Sequence, residues 1–305
     1  MKLSEQVQKA LTYIKNIDVP ETLHPWEAGR FFYEKFVPLA GEKMTVFQIC
    51  EKEIFNDGNR ITLRIYRPDE NEQSPVIIYF HGGWFNSGNL ETHDTPLRQL
   101  ANLSNMMIIA VDYRLAPENP FPAGLEDSEF AVKWVIDNSS LLNIDSNKII
   151  IAGDSAGAAL AATITRKFRK EINAQILIYP VTDNSLKTAS WTEFQEGPLL
   201  DIEGAITAWS WYLPNMEDKK NSDAVPLMAD DLDNLPPTFV AIAEYDPLKD
   251  EGFLYVDKLK AKNNIVDLRL YKGTTHGFFQ MGGYIEDTNV LMGDITGFIK
   301  TQNSL

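Results

Sequence analysis

Five short runs of almost unbroken apolar residues constrain this chain most: 76–80 (VIIYF), 106–111 (MMIIAV), 148–152 (KIIIA), 175–179 (QILIY) and 238–243 (TFVAIA). A strand with one wet face alternates apolar and polar residues, so runs apolar at nearly every position need cover on both faces, as in a parallel sheet. Helical patterns separate them: 92–104, opening on Thr92-His93-Asp94; 125–138, with Phe130, Val132, Trp134 and Val135 at three- and four-residue spacings; and the alanine-rich 156–170. Alternation of this kind, with right-handed crossovers, predicts a doubly wound α/β sheet. Two earlier runs, 46–55 and 60–67, flank Asn56-Asp57-Gly58-Asn59. Asp-Gly between β-like runs reads as a hairpin and adds an antiparallel edge.

Two segments break the rhythm. Residues 1–44 are helical in pattern and carry Trp26, Phe31, Phe32, Tyr33 and Phe36, and 183–225 hold Trp191, Phe194, Trp209, Trp211 and Tyr212. Four of the six tryptophans fall in these segments. The division this predicts is a core of 45–182 and 226–305 under a helical cap, apolar beneath, made of 1–44 and 183–225. A net charge of −15 argues against a nucleic-acid partner, which needs clustered Lys and Arg. With Cys50 the only cysteine, no intrachain disulfide can form, which fits a reducing compartment. The opening MKLSEQ lacks the apolar core of a signal peptide, and no apolar run reaches the roughly eighteen residues that span a bilayer. The expectation is a cytoplasmic protein without stable membrane insertion.

Chemistry concentrates after KIIIA, where Gly153-Asp154-Ser155-Ala156-Gly157 matches Gly-x-Ser-x-Gly at the start of a small-residue helix. This nucleophile elbow holds serine on a sharp turn, where only small residues two before and two after let the chain pass. In this arrangement the chain order is serine, acid, histidine, and of His24, His81, His93 and His276 only His276 follows Ser155. The acid must lie between them at a strand end, where Asp246 directly follows TFVAIA and Glu244-Tyr245. Glu244 and Asp250 compete; the first belongs to the strand and the second opens a helix as a cap. Backbone N–H groups for an oxyanion are expected from Ala156 and from Gly82 and Gly83, in the loop His81-Gly82-Gly83-Trp84 after VIIYF. His81 is expected to hydrogen-bond its own loop. Trp84, Phe85 and Asp154 are expected around the substrate. No P-loop, His-Glu-x-x-His or Cys cluster occurs, and a metal enzyme is not expected.

These residues, with Tyr113-Arg114-Leu115-Ala116-Pro117-Glu118, Phe121-Pro122-Ala123, Glu126-Asp127, Glu244 to Glu251 and His276-Gly277-Phe278, make the chain resemble the hormone-sensitive lipase family. This is the group of bacterial esterases related to arylacetamide deacetylases. The resemblance covers nearly the whole chain. It implies an α/β-hydrolase fold: a mostly parallel eight-stranded sheet with an antiparallel edge, helices on both faces and a helical cap. It also implies hydrolysis of short- to medium-chain carboxylic esters by Ser155, Asp246 and His276 without a cofactor, and a homodimer paired through the edge strand 266–271. Two positions depart from the family pattern: Trp84 stands where a third glycine is usual, and Ala158 where a second glycine is common. An indole beside the oxyanion loop narrows the acyl or alcohol pocket. The same triad serves an amidase or deacetylase, and a non-catalytic receptor resembling the plant gibberellin receptor shares the fold but lacks the histidine base.

Overall fold

The computed structural model describes residues 3–71 and 73–302. Its strands are β1 (Gln48–Asn56), β2 (Asn59–Arg67), β3 (Ser74–Phe80), β4 (Met107–Asp112), β5 (Ile144–Asp154), β6 (Ala174–Ile178), β7 (Thr238–Tyr245) and β8 (Val266–Thr275). They form one sheet of eight in the order β1-β2-β4-β3-β5-β6-β7-β8. Asp57 and Gly58, with φ of 47° and 86°, make the two-residue turn that pairs β1 with β2. Both angles are left-handed, as a hairpin that follows the sheet twist requires. β2 runs antiparallel to β4, and from β4 to β8 every neighbouring pair is parallel. The expected mostly parallel sheet with an antiparallel edge is therefore present, and its parallel strands end along one rim.

The helices are α1 (Glu5–Lys15), α2 (Pro25–Glu34), α3 (Asp94–Ser104), α4 (Ala123–Asp137), α5 (Ala156–Lys167), α6 (Ala189–Glu193), α7 (Ile202–Tyr212), α8 (Lys249–Ala261) and α9 (Asp287–Gln302). Side-chain alternation explains why VIIYF is apolar throughout. Val76, Ile78 and Phe80 enter a core shared with α4, α5 and α8, while Ile77 and Tyr79 enter a second core with α1, α3 and α9. Alanine lets α5 sit close to the sheet, with every residue from Ala156 to Arg166 buried. Among the described residues, no helix is long and apolar enough to cross a membrane.

The two segments outside the strand–helix rhythm do different jobs. Val7, Ala10 and Ile14 of α1 pack into the second core, and Ser4 N–H donates to the Gly273 carbonyl at 3.1 Å. Helix α2 buries no residue fully. It is tied down by Arg30, which donates to the Asn86 carbonyl at 2.7 Å and the Ala116 carbonyl at 3.0 Å and pairs with Glu118 at 2.7 Å. Trp191 and Trp209 are buried in the first core, Trp211 faces the cavity described below, and Trp26 lies under the Arg30 guanidinium.

Candidate active site

Ser155 joins β5 to α5 with φ 53° and ψ −118°, a left-handed conformation that costs a non-glycine residue on the order of 1–3 kcal/mol. Neighbours hold it there. Its N–H donates to the Ile178 carbonyl at 2.8 Å, and its carbonyl accepts from Ala158, Ala159 and Val181. A Cβ at Gly153 would overlap the Gly157 carbonyl, and one at Gly157 would overlap the Phe80 carbonyl. Both glycines of the motif are therefore steric necessities.

Asp246 follows β7 and His276 follows β8, so both reach the same rim as Ser155. His276 Nδ1 lies 2.7 Å from Asp246 Oδ2, and its Nε2 lies 2.9 Å from Ser155 Oγ. A carboxylate only accepts, so the proton belongs on Nδ1, and the Nε2 lone pair faces the serine hydroxyl. The other Asp246 oxygen accepts the Leu248 N–H at 2.9 Å, which fixes the carboxylate. All three side chains are buried. The Tyr179 ring packs against the imidazole with centroids 4.5 Å apart, a contact the sequence reading missed. The competing carboxylates are occupied elsewhere. Glu244 accepts from Gly273 N–H at 2.7 Å, tying β7 to β8, and Asp250, in the first turn of α8, accepts from Ser190 N–H at 2.8 Å.

The oxyanion loop differs from expectation at Gly82. Its N–H donates to Asp154 Oδ1 at 2.9 Å, so it is spent on holding the loop. Among the described residues, the N–H groups of Gly83, Trp84 and Ala156 have no protein acceptor, and Gly83 and Trp84 border the cavity. Asp154 also borders the cavity, but its carboxylate turns behind the loop. There Oδ1 accepts from the Tyr79 hydroxyl at 2.8 Å and lies 3.0 Å from His93 Nε2. Burial opposes ionisation of Asp154, yet His93, the Tyr79 hydroxyl and the Gly82 N–H together hold it below the usual carboxylate range. Phe85 departs from expectation as well. It is buried away from the cavity, stacked on Tyr212 at 3.8 Å and 4°, where burial of its apolar surface and the ring stacking both favour it.

His81 does bond its own loop, its Nδ1 lying 2.8 Å from the Gly82 carbonyl, and its ring stacks on Tyr113 at 4.4 Å. Burial, then the neighbouring His93, push its pKa down to about 4. Between that value and the unfolded pKa of about 6.5 the unfolded chain binds the extra proton. Stability contributed by neutral His81 is thus present above about pH 6.5 and lost as pH falls towards 4. Thermal melts should show a fall over this window that is smaller in His81→Asn. Equal falls in both proteins would refute it.

Above Ser155 and His276 lies a cavity of about 390 Å³. Helix α2 supplies Gly29, Phe32 and Tyr33, and α7 supplies Gly204, Ala205, Ala208 and Trp211. Tyr33 donates to Gln280 Oε1 at 2.7 Å, which puts a polar strip in a mostly apolar wall. Among the described residues, no three His, Cys, Asp or Glu side chains group as a metal site.

A serine on a strained elbow, in line with an imidazole and a carboxylate delivered from neighbouring parallel strands, is the geometry of an α/β hydrolase. Comparison with known proteins gives the same class. The family described as alpha/beta hydrolase fold matches residues 77–280. The chain is similar to esterase LipI of Mycobacterium tuberculosis (38% identity, covering 78% of this chain and 77% of the relative). It is also similar to an arylesterase of Saccharolobus solfataricus (30%, covering 96% and 97%). Among solved structures, a hyperthermophilic esterase from the archaeon Pyrobaculum calidifontis superposes with a TM-score of 0.92 at 35% identity, covering all of both chains. The chain belongs to the alpha/beta hydrolase family, in its hormone-sensitive-lipase-like branch.

Proposed function

We propose that this carboxylic ester hydrolase cleaves short- to medium-chain esters through an acyl-enzyme on Ser155. The observation that carries the reading is the unbroken hydrogen-bond line Ser155–His276–Asp246 at 2.9 and 2.7 Å, with Ser155 and His276 lining the cavity. Ser155 Oγ attacks the acyl carbon while His276 Nε2 takes the hydroxyl proton. The carbonyl oxygen gains charge opposite the free N–H groups of Gly83, Trp84 and Ala156. The C–O bond to the alcohol then breaks, and His276 returns its proton to the departing alkoxide. Water repeats the sequence: its hydroxyl adds to the acyl carbon, its other proton passes through His276 to Ser155, and the acid leaves. Asp246 holds the tautomer and balances the imidazolium throughout.

A p-nitrophenyl ester series from acetate to palmitate, run before and after treatment with a fluorophosphonate probe, tests this. Turnover should be greatest with the shorter acyl chains, and the probe should abolish it by labelling Ser155. An optimum at palmitate, or a probe attached elsewhere, would overturn the reading. The setting that goes with it is cytoplasmic, in keeping with Cys50 as the lone cysteine. Its partner is a second copy of this chain at β8, whose outer edge carries no strand among the described residues and beside which Ile265 (70%) and Leu270 (40%) are exposed. A monomer mass in equilibrium sedimentation would remove that partner.

A further inference from the structure

We propose that the indole of Trp84 is the wall that sets how long an acyl group this site accepts. The inference rests on Ser155 being the nucleophile. Position 84 has φ 52° and position 85 has φ 62°, two consecutive non-glycine residues in the left-handed region. Such a conformation persists only where surroundings over-determine it. Here the surroundings are aromatic. The Trp84 ring packs 6.3 Å from Trp191 and 6.3 Å, edge-on, from Trp209, while Phe85 stacks on Tyr212 at 3.8 Å. Trp191 is itself anchored, donating from Nε1 to the buried Glu251 at 3.0 Å. The indole is thereby held in one place and yet stays partly exposed to the cavity.

Its position relative to the reacting atoms follows from the backbone. Trp84 N–H is one of the free donors of the oxyanion loop, so its Cβ stands two bonds from a group that touches the carbonyl oxygen. The departing alcohol oxygen must reach His276 Nε2 to be protonated, which places the alcohol against Gly277, Gln280 and Tyr33. In this proposal the substituent left on the acyl carbon lies on the other side, between Trp84 and α7, both of which line the cavity. Helix α7 turns Gly204, Ala205, Thr207, Ala208 and Trp211 towards the cavity. Its glycine and alanines leave room, and Trp84, packed on Trp209 of the same helix, imposes the limit there. No glycine was required here for clearance, unlike Gly83, where a Cβ would overlap the Ser87 carbonyl.

The test measures kcat/KM for two ester series on wild type, Trp84→Gly and Trp84→Phe: p-nitrophenyl esters from acetate to decanoate, and acetates of alcohols from methanol to octanol. Each added methylene is worth about fourfold when buried. The octanoate-to-acetate ratio should therefore rise at least about tenfold in Trp84→Gly, with a smaller rise in Trp84→Phe, while the octyl-to-methyl ratio stays within about twofold. Both variants keep the backbone donor, and ratios cancel any general loss of rate. If Trp84→Gly does not fold, Trp84→Phe and Trp84→Leu carry the measurement. An unchanged acyl ratio, or a change confined to the alcohol series, overturns the proposal. Ser155→Ala assayed beside them reports separately on the nucleophile.

Discussion

Replacing Ser155 with alanine lowers kcat on short p-nitrophenyl esters by at least about 10⁴-fold, and by as much as about 10⁶-fold where the uncatalysed background permits it to be read. The size of the effect follows from the geometry. Oγ is the atom His276 Nε2 faces at 2.9 Å, and without it the imidazole has no proton to accept and the acyl carbon no attacking atom. Alanine keeps Cβ, so the elbow retains its volume, its N–H bond to the Ile178 carbonyl and its φ of 53°. The melting temperature should therefore stay within a few degrees of wild type, which separates lost chemistry from lost structure. What remains is catalysis by the donors of Gly83, Trp84 and Ala156 alone, expected at about 10³–10⁴ over water. A variant that kept more than a hundredth of wild-type kcat would show that another group attacks the ester.

Legibility in the sequence tracked the range of the forces involved. Apolar runs such as KIIIA and TFVAIA announce buried parallel strands because burial on both faces leaves no position free to be polar. Asp57-Gly58 announces the hairpin because left-handed backbone angles select those residues locally. Ser155, Asp246 and His276 could be named as candidates, and their meeting in space expected, because chain order admits one histidine and a strand end places one carboxylate. What stayed hidden depends on contacts far apart in the chain. Gly82 gives its N–H to Asp154, a partner 72 residues away, and nothing near Gly82 reveals that the donor is taken. Phe85 turns inward because Tyr212 waits there, and Trp191 and Trp209, grouped by sequence with the cap, prove to be core packing that clamps Trp84. The leader splits for the same reason. The apolar stripe of α1 finds the second core, whereas α2 buries no residue fully and borders the cavity.

Exchanging Asp246 for asparagine should cost about 10⁴-fold in kcat at neutral pH while leaving the backbone in place. Asp246 serves two donors at once: Leu248 N–H reaches Oδ1 at 2.9 Å, and His276 Nδ1 lies 2.7 Å from Oδ2. Asparagine can keep only the first with its carbonyl oxygen, because that position demands an acceptor. Its amide nitrogen then faces Nδ1 as a donor, and the imidazole must present a lone pair there. The ring proton moves to Nε2 and points at Ser155 Oγ, where the reaction needs a base. The histidine is thus present, aligned and in the wrong tautomer. Asp246→Ala makes the useful comparison, since it leaves the buried Leu248 N–H without its acceptor and should also destabilise the fold by about 1–3 kcal/mol. If the tautomer argument holds, the asparagine variant melts near wild type yet is nearly as inactive as the alanine variant. A drop of less than about tenfold in Asp246→Asn would mean that His276 keeps its working tautomer without this carboxylate.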